Sequence, residues 1–175
     1  MPLTATLRTA GISTAGRLFP DPPRDTCAGS TDQRAVTEAL GWVGTPYRHQ
    51  GARRGVGCDC LGLVRGVWCS LYGFELPESG PYAPDWAESS GADRLLAELS
   101  FHFHEIPEPA AGCVLLFRWR ANLPAKHLGV LVDSDCFVHA YEGAGAVVRS
   151  RLVPQWRRRI ACAFAFPNIS IDRSI

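Results

Sequence analysis

Apolar positions recur at helical spacing in the first half of the chain and give way to short strand-like runs in the second. Val36, Ala39, Leu40 and Val43 fall on one helical face, and Ser30 followed by Gln33 has the spacing of a capping box. A first helix is therefore expected over about 31–43. The stretch 44–57 holds Pro46, Gly51, Gly55 and Gly57, enough breakers to predict a long irregular loop. Periodicity resumes at Leu61, Val64, Val67, Trp68 and Leu71. This predicts a second helix that begins near Cys60 and is capped at its far end by Gly73. After a Pro-rich and Ser-rich connection, residues 93–99 read as a short third helix.

From there the pattern is that of strands, expected over 101–106, 114–119, 127–132, 136–141, 146–151 and 160–166, with Gly, Pro, Asn and Asp turns between them. Links this short suit an antiparallel sheet, so the fold class is α+β with helices first and sheet second. Residues 1–29 show no sustained period, and Pro20-Asp21-Pro22-Pro23 breaks any regular element. They are read as a flexible extension to one domain over 30–168, with a tail over 169–175. A chain of 175 residues, 46% hydrophobic, suffices for one such core.

Charge narrows the partners. Eighteen basic and seventeen acidic side chains leave a formal charge of +1, so no global field draws nucleic acid or an anionic surface. No apolar run reaches the roughly 18–20 residues of a membrane span, and no compact apolar stretch of a secretory signal opens the chain. Synthesis in the cytoplasm without a signal peptide is the expectation. Seven cysteines without regular spacing are read as mostly reduced.

Candidate chemistry centres on Cys60, placed where the glycine-rich loop gives way to the second helix. Unpaired N–H groups and the partial positive charge of a helix N-terminus favour thiolate there and suit an oxyanion. Asp59 is the expected N-cap. A thiol nucleophile needs a base, and His127 opens an apolar strand from which its ring reaches the sheet rim. His139 lies twelve residues on, across a turn near 133–135, so a hairpin would set the two rings side by side with one orienting the other. Taken alone, Cys60 reads more often as a core thiol. Zinc held by Cys58, Cys60, His127 and His139 is a weak alternative, because paired zinc cysteines are spaced more widely.

Four ordered motifs then carry a resemblance: G-T-P-Y-R-H-Q (44–50), G-C-D-C-L-G-L-V-R-G-V-W (57–68), K-H-L-G-V-L-V (126–132) and F-V-H-A-Y-E-G (137–143). Together they resemble the NlpC-type cell-wall peptidases, in particular the phage and gene-transfer-agent branch, with its H-Q, D-C-L-G and W-R-R-R-I. The resemblance implies a papain-like fold with nucleophile Cys60, base His127, orienting residue His139 and active-site tyrosine Tyr47. It implies hydrolysis of peptidoglycan stem peptides, commonly between D-glutamate and the diamino acid, with no metal or cofactor. Phage-like tail proteins would be partners and a particle the means of delivery. An acyltransferase or amidase with the same Cys–His pair, and a non-catalytic tail protein, are the rival readings.

Two positions depart from the family pattern: Leu61 replaces the usual serine after the nucleophile, and Cys113 replaces an aspartate after Gly112. The second removes a turn acceptor. His49 and Gln50 follow Tyr47 and are read as cleft-lining or simply loop residues. His102 and His104 are read as surface positions on an early strand, and Arg157, Arg158 and Arg159 as a solvated basic face.

Overall fold

A computed structural model describes residues 30–76 and 93–169. The expected extension over 1–29 and all of the expected tail except Ile169 lie outside the described residues. So does the Ser30 side chain, and with it the capping box.

Helix α1 (Ser30–Gly41) packs Ala35, Val36 and Ala39 inward, and Trp42 just beyond it turns back into the core. The expected apolar face was drawn slightly wrong. Leu40 and Val43 are exposed, because the helix stops at Gly41 and the indole of Trp42 takes the inward position. Residues 44–59 form a loop with a small hairpin, β1 (Ala52–Arg53) and β2 (Gly57–Cys58). Helix α2 (Cys60–Tyr72) buries Val64, Val67, Trp68 and Leu71 of the predicted stripe, together with Leu63 and Tyr72, whereas Leu61 is only partly buried. Gly73 caps it in the left-handed region at φ 78°, its N–H donating to the Cys69 carbonyl.

Helix α3 (Arg94–His102) runs one turn longer than expected. Leu95, Leu99 and Phe103 keep helical spacing and pack inward, so Phe101 and His102 belong to this helix and not to a strand. His102 lies edge-on to Trp68, partly buried, which corrects its reading as a surface strand residue.

The sheet has six antiparallel strands: β3 (His104–Ile106), β4 (Val114–Phe117), β5 (His127–Leu131), β6 (Cys136–Tyr141), β7 (Ala146–Arg151) and β8 (Ile160–Ala165), in the order β3-β8-β4-β5-β6-β7. The fold is α+β, as expected. One sheet face, with Val114, Leu116, Leu128, Val130 and Val138, joins the helices in the main core. The other, with Leu115, Phe117, Leu131 and Phe137, is partly roofed by Trp156 from the short helix α4 (Pro154–Arg157). At Cys113 the turn is intact without an aspartate: the Cys113 N–H donates to Ala110 and the Gly112 N–H to Leu131.

Two helical glycines allow α2 to pack closely. A Cβ on Gly66 would enter the Trp42 ring, and one on Gly62 would fall on the Gly51 carbonyl. Helix propensity alone favours Gly62→Ala by about 1 kcal/mol. Overpacking against backbone should reverse the sign and cost about 1–3 kcal/mol. Urea denaturation checks this, and an unchanged or raised midpoint would contradict the packing argument.

Candidate active site

Asp59 builds the Cys60 side of the site. Its buried carboxylate accepts the Gly62 N–H at 2.8 Å through one oxygen, capping α2 as the sequence suggests, and the Gln50 N–H at 2.7 Å through the other. Gln50 is held at φ 59°, a conformation that a non-glycine residue keeps only when its surroundings fix it. His49 Nδ1 stands 3.8 Å from the same carboxylate. The predicted pair His49 and Gln50 therefore meets Asp59, Gln50 through its backbone.

Tyr47 is placed by the loop's pairing with the sheet edge. The Gly44 N–H donates to the Val147 carbonyl and the Val147 N–H to that of Thr45, the Tyr47 N–H donates to Gly145, and Arg48 N–H to Cys58 and Cys58 N–H to Pro46 continue the pairing toward α2. The Tyr47 phenol is pushed up to about 12 by lost hydration, with Glu142, Cys60 and Asp59 adding their charge. Cys58 is fully buried, a packing residue.

Cys60 occupies the first turn of α2, partly buried, and packs with Tyr47 and Leu61 against the edge of the main core. Lost hydration, then the Asp59 charge, push its thiol up to about 12, while backbone hydrogen bonds from Leu128, Leu61 and Cys60 itself pull it down. The expectation of a favoured thiolate is thus corrected: the helix terminus acts in the expected direction but desolvation outweighs it.

The Leu128 contact joins the two halves of the site. Val132 N–H bonds Cys136 on β6, so by alternation the Leu128 N–H also faces β6. The β5–β6 pairing is Val130 with Val138 and Leu131 with Phe137, and it stops before Leu128. That N–H turns to the sulfur of Cys60. The Cys60 sulfur is thereby held beside the residue that follows His127.

His127 and His139 lie on the sheet face away from the helices. His127 Nε2 is 2.8 Å from His139 Nδ1, which bears out the hairpin juxtaposition. Gly129 makes room for it, since a Cβ there would press on Phe137 and the His139 side chain. His139 is fully buried, and its Nε2 is 2.9 Å from Ser150 Oγ. Aromatic rings surround the pair. Trp119 stacks on His127 with centroids 5.8 Å apart, Tyr141 on His139 at 5.3 Å, and Trp156 meets both. Arg159 lies 4.6 Å over Trp119, so this member of the basic run packs on the aromatic wall. Ser150, Trp119 and Trp156 were not singled out from sequence. Strand alternation through Val148, which pairs with His139, places Ser150 on that face and is the signal that finds it.

Among the described residues no group of three or more His, Cys, Asp or Glu side chains could hold a metal ion. No helix there is long and apolar enough to cross a membrane.

In comparison with known proteins, the model of the NlpC/P60 family matches residues 44–164. The chain belongs to the NlpC/P60 family. A relative in Escherichia coli strain K12, the murein DD-endopeptidase MepS/murein LD-carboxypeptidase, is 27% identical over 126 residues, covering 72% of this chain and 58% of its own. A probable endopeptidase of Haemophilus influenzae is 28% identical, covering 67% and 63%. The chain thus spans about three fifths of the length of these relatives. Two solved structures share the fold. An NLP/P60 lipoprotein-like protein of Staphylococcus aureus has TM-score 0.57 and 23% identity, covering 82% of this chain and 45% of its own. The NlpC/p60 domain of peptidoglycan hydrolase SagA has TM-score 0.52 and 21% identity, covering 77% and 98%.

Both histidines are held neutral. Lost hydration, then His139, lower His127 to about 3, and lost hydration lowers His139 to about 4. In the unfolded chain both return near 6.5. Below that pH the unfolded state binds protons that the folded pair refuses, so stability should fall as pH drops from about 6.5 toward 4. The slope is up to about 1.4 kcal/mol per pH unit per ring, ending once the folded rings protonate. Urea midpoints across this range should decline less steeply for His139→Gln, and equal slopes would count against the buried neutral pair.

Proposed function

We propose that this chain is a cysteine endopeptidase acting on peptidoglycan stem peptides. What carries the reading is the Cys60 sulfur at the first turn of α2, hydrogen-bonded by the Leu128 N–H beside a histidine whose far nitrogen is engaged by a second histidine. In the proposed reaction His127 Nδ1 takes the Cys60 proton as the sulfur adds to a stem-peptide carbonyl. The N–H groups of Cys60 and Leu61, with Tyr47, face the developing oxyanion. His127 then returns the proton to the leaving amine, forming an acyl-enzyme that water hydrolyses. His139 holds the ring of His127 in place.

The substrate class is supported by the names of the relatives, a murein endopeptidase and a peptidoglycan hydrolase domain. The proposed bond joins D-glutamate to the diamino acid. The E. coli relative's name specifies DD and LD bonds instead, so defined muropeptides must separate these. Mass spectrometry of digests should show a new amine and acid end at the D-glutamyl bond with wild type and at least a hundredfold less with Cys60→Ala. Uncut muropeptides would sink the peptidase reading, and a transfer product would move it to an acyltransferase.

The H-Q, D-C-L-G and W-R-R-R-I motifs support a finer proposal, that the enzyme is carried by a phage-like tail or gene-transfer particle and meets the wall on delivery. Purified particles from the producing cells should contain the chain by mass spectrometry. Its presence only in the particle-free fraction would refute delivery by particle.

A further inference from the structure

We propose that Ser150 is a positioning residue that sustains the proton order of the histidine pair in which Nδ1 of His127 is left as a proton acceptor. The inference rests on the peptidase reading for its kinetic consequence, but not for its structural one.

His139 is wholly enclosed, and both of its nitrogens are engaged: Nδ1 by His127 Nε2 at 2.8 Å, Nε2 by Ser150 Oγ at 2.9 Å. A neutral imidazole offers one N–H and one lone pair, so the row of three side chains has two orders. In the first, His127 Nε2–H donates to His139 Nδ1, and His139 Nε2–H donates to the Ser150 oxygen. In the second, the Ser150 hydroxyl donates to His139 Nε2, and His139 Nδ1–H donates to His127 Nε2. Only the first leaves His127 Nδ1 without a hydrogen, ready to accept one.

Ser150 is what makes the first order tolerable. Its oxygen accepts the Nε2–H of a ring that has no access to water, while the partly exposed residue on the outer strand β7 keeps its own hydrogen free to turn outward. Without the hydroxyl, the first order would strand a buried N–H, and the second would strand only a lone pair. Orphaned buried donors are the rarer and costlier case. The pair would then move toward the second order, in which His127 cannot act as a base. Of the rings around His139, those of Phe137 and Trp156 carry no acceptor oxygen, and that of Tyr141 stacks face to face on it.

Ring-nitrogen NMR shifts of the wild-type protein report directly which atom of His139 carries the hydrogen, whatever the substrate proves to be. We expect hydrogen on Nε2 in the wild type and a shift of population toward Nδ1 in Ser150→Ala, with kcat on stem peptide down about tenfold and KM unchanged. Ser150→Thr, which restores the hydroxyl on a strand that favours β-branched residues, should recover both. Hydrogen on Nδ1 in the wild type would overturn the proposal even if Ser150→Ala failed to fold. So would an unchanged tautomer in Ser150→Ala, or a Thr variant that folds but remains slow. Should no stem peptide be cut by the wild type, the peptidase reading falls while the tautomer measurement still decides the role of Ser150.

Discussion

Two backbone N–H groups, those of Gln50 and Gly62, meet on the buried carboxylate of Asp59 at 2.7 and 2.8 Å, and the site depends on that junction. The first holds the loop in a left-handed kink, and the second fixes where α2 starts. Gly62 then lets the helix press against the Gly51 carbonyl, which sets the height of Cys60 over the sheet. The same carboxylate has an electrostatic cost: its charge, next to lost hydration, holds Cys60 in the thiol form. A neutral cap would ease ionisation, but the loop and helix would lose the charge-assisted bonds that keep them in register.

The sheet contributes the complementary irregularity. A continuous β5–β6 ladder would engage the Leu128 N–H on β6, and pairing instead stops at Val130. Gly129, just at that break, lets the Phe137 ring and the Cβ of His139 close over β5. One missing side chain and one interrupted ladder therefore do both jobs. They bring His139 to His127 on one face and offer an N–H to Cys60.

Much of this was legible before the structure. The start of α2 at Cys60, its cap at Asp59, its stop at Gly73 and the meeting of His127 with His139 all follow from short-range patterns, because each depends on spacing within one helix or hairpin. Features that depend on the register of more distant pieces were not. Ser150 is an ordinary strand serine until β7 is aligned with β6, and Trp156 is one more aromatic until α4 is folded onto the far sheet face. The end of α3 was misplaced because Phe101 and Phe103 suit a strand by type, whereas contact with Trp68 and Phe166 rewards the helical phase. The sign of the Cys60 shift was missed for a similar reason. A helix terminus is visible in sequence, but the burial that outweighs it is not.

That burial also bears on how a Cys–His pair can work when neither partner readily ionises alone. Desolvation penalises a lone thiolate and a lone imidazolium, which is why Cys60 is raised and His127 lowered. Moving one proton from sulfur to ring creates both charges together without changing the net charge, and each then offsets part of the other's lost hydration. The surrounding dipoles are arranged for that event at both ends. N–H groups of Cys60, Leu61 and Leu128 face the sulfur, while His139 Nδ1 stands at the far nitrogen of His127 with Ser150 behind it. In the proposed reaction the resting site stays neutral, and proton transfer accompanies attack on the carbonyl, when the negative charge passes from sulfur to an oxygen that backbone donors can receive.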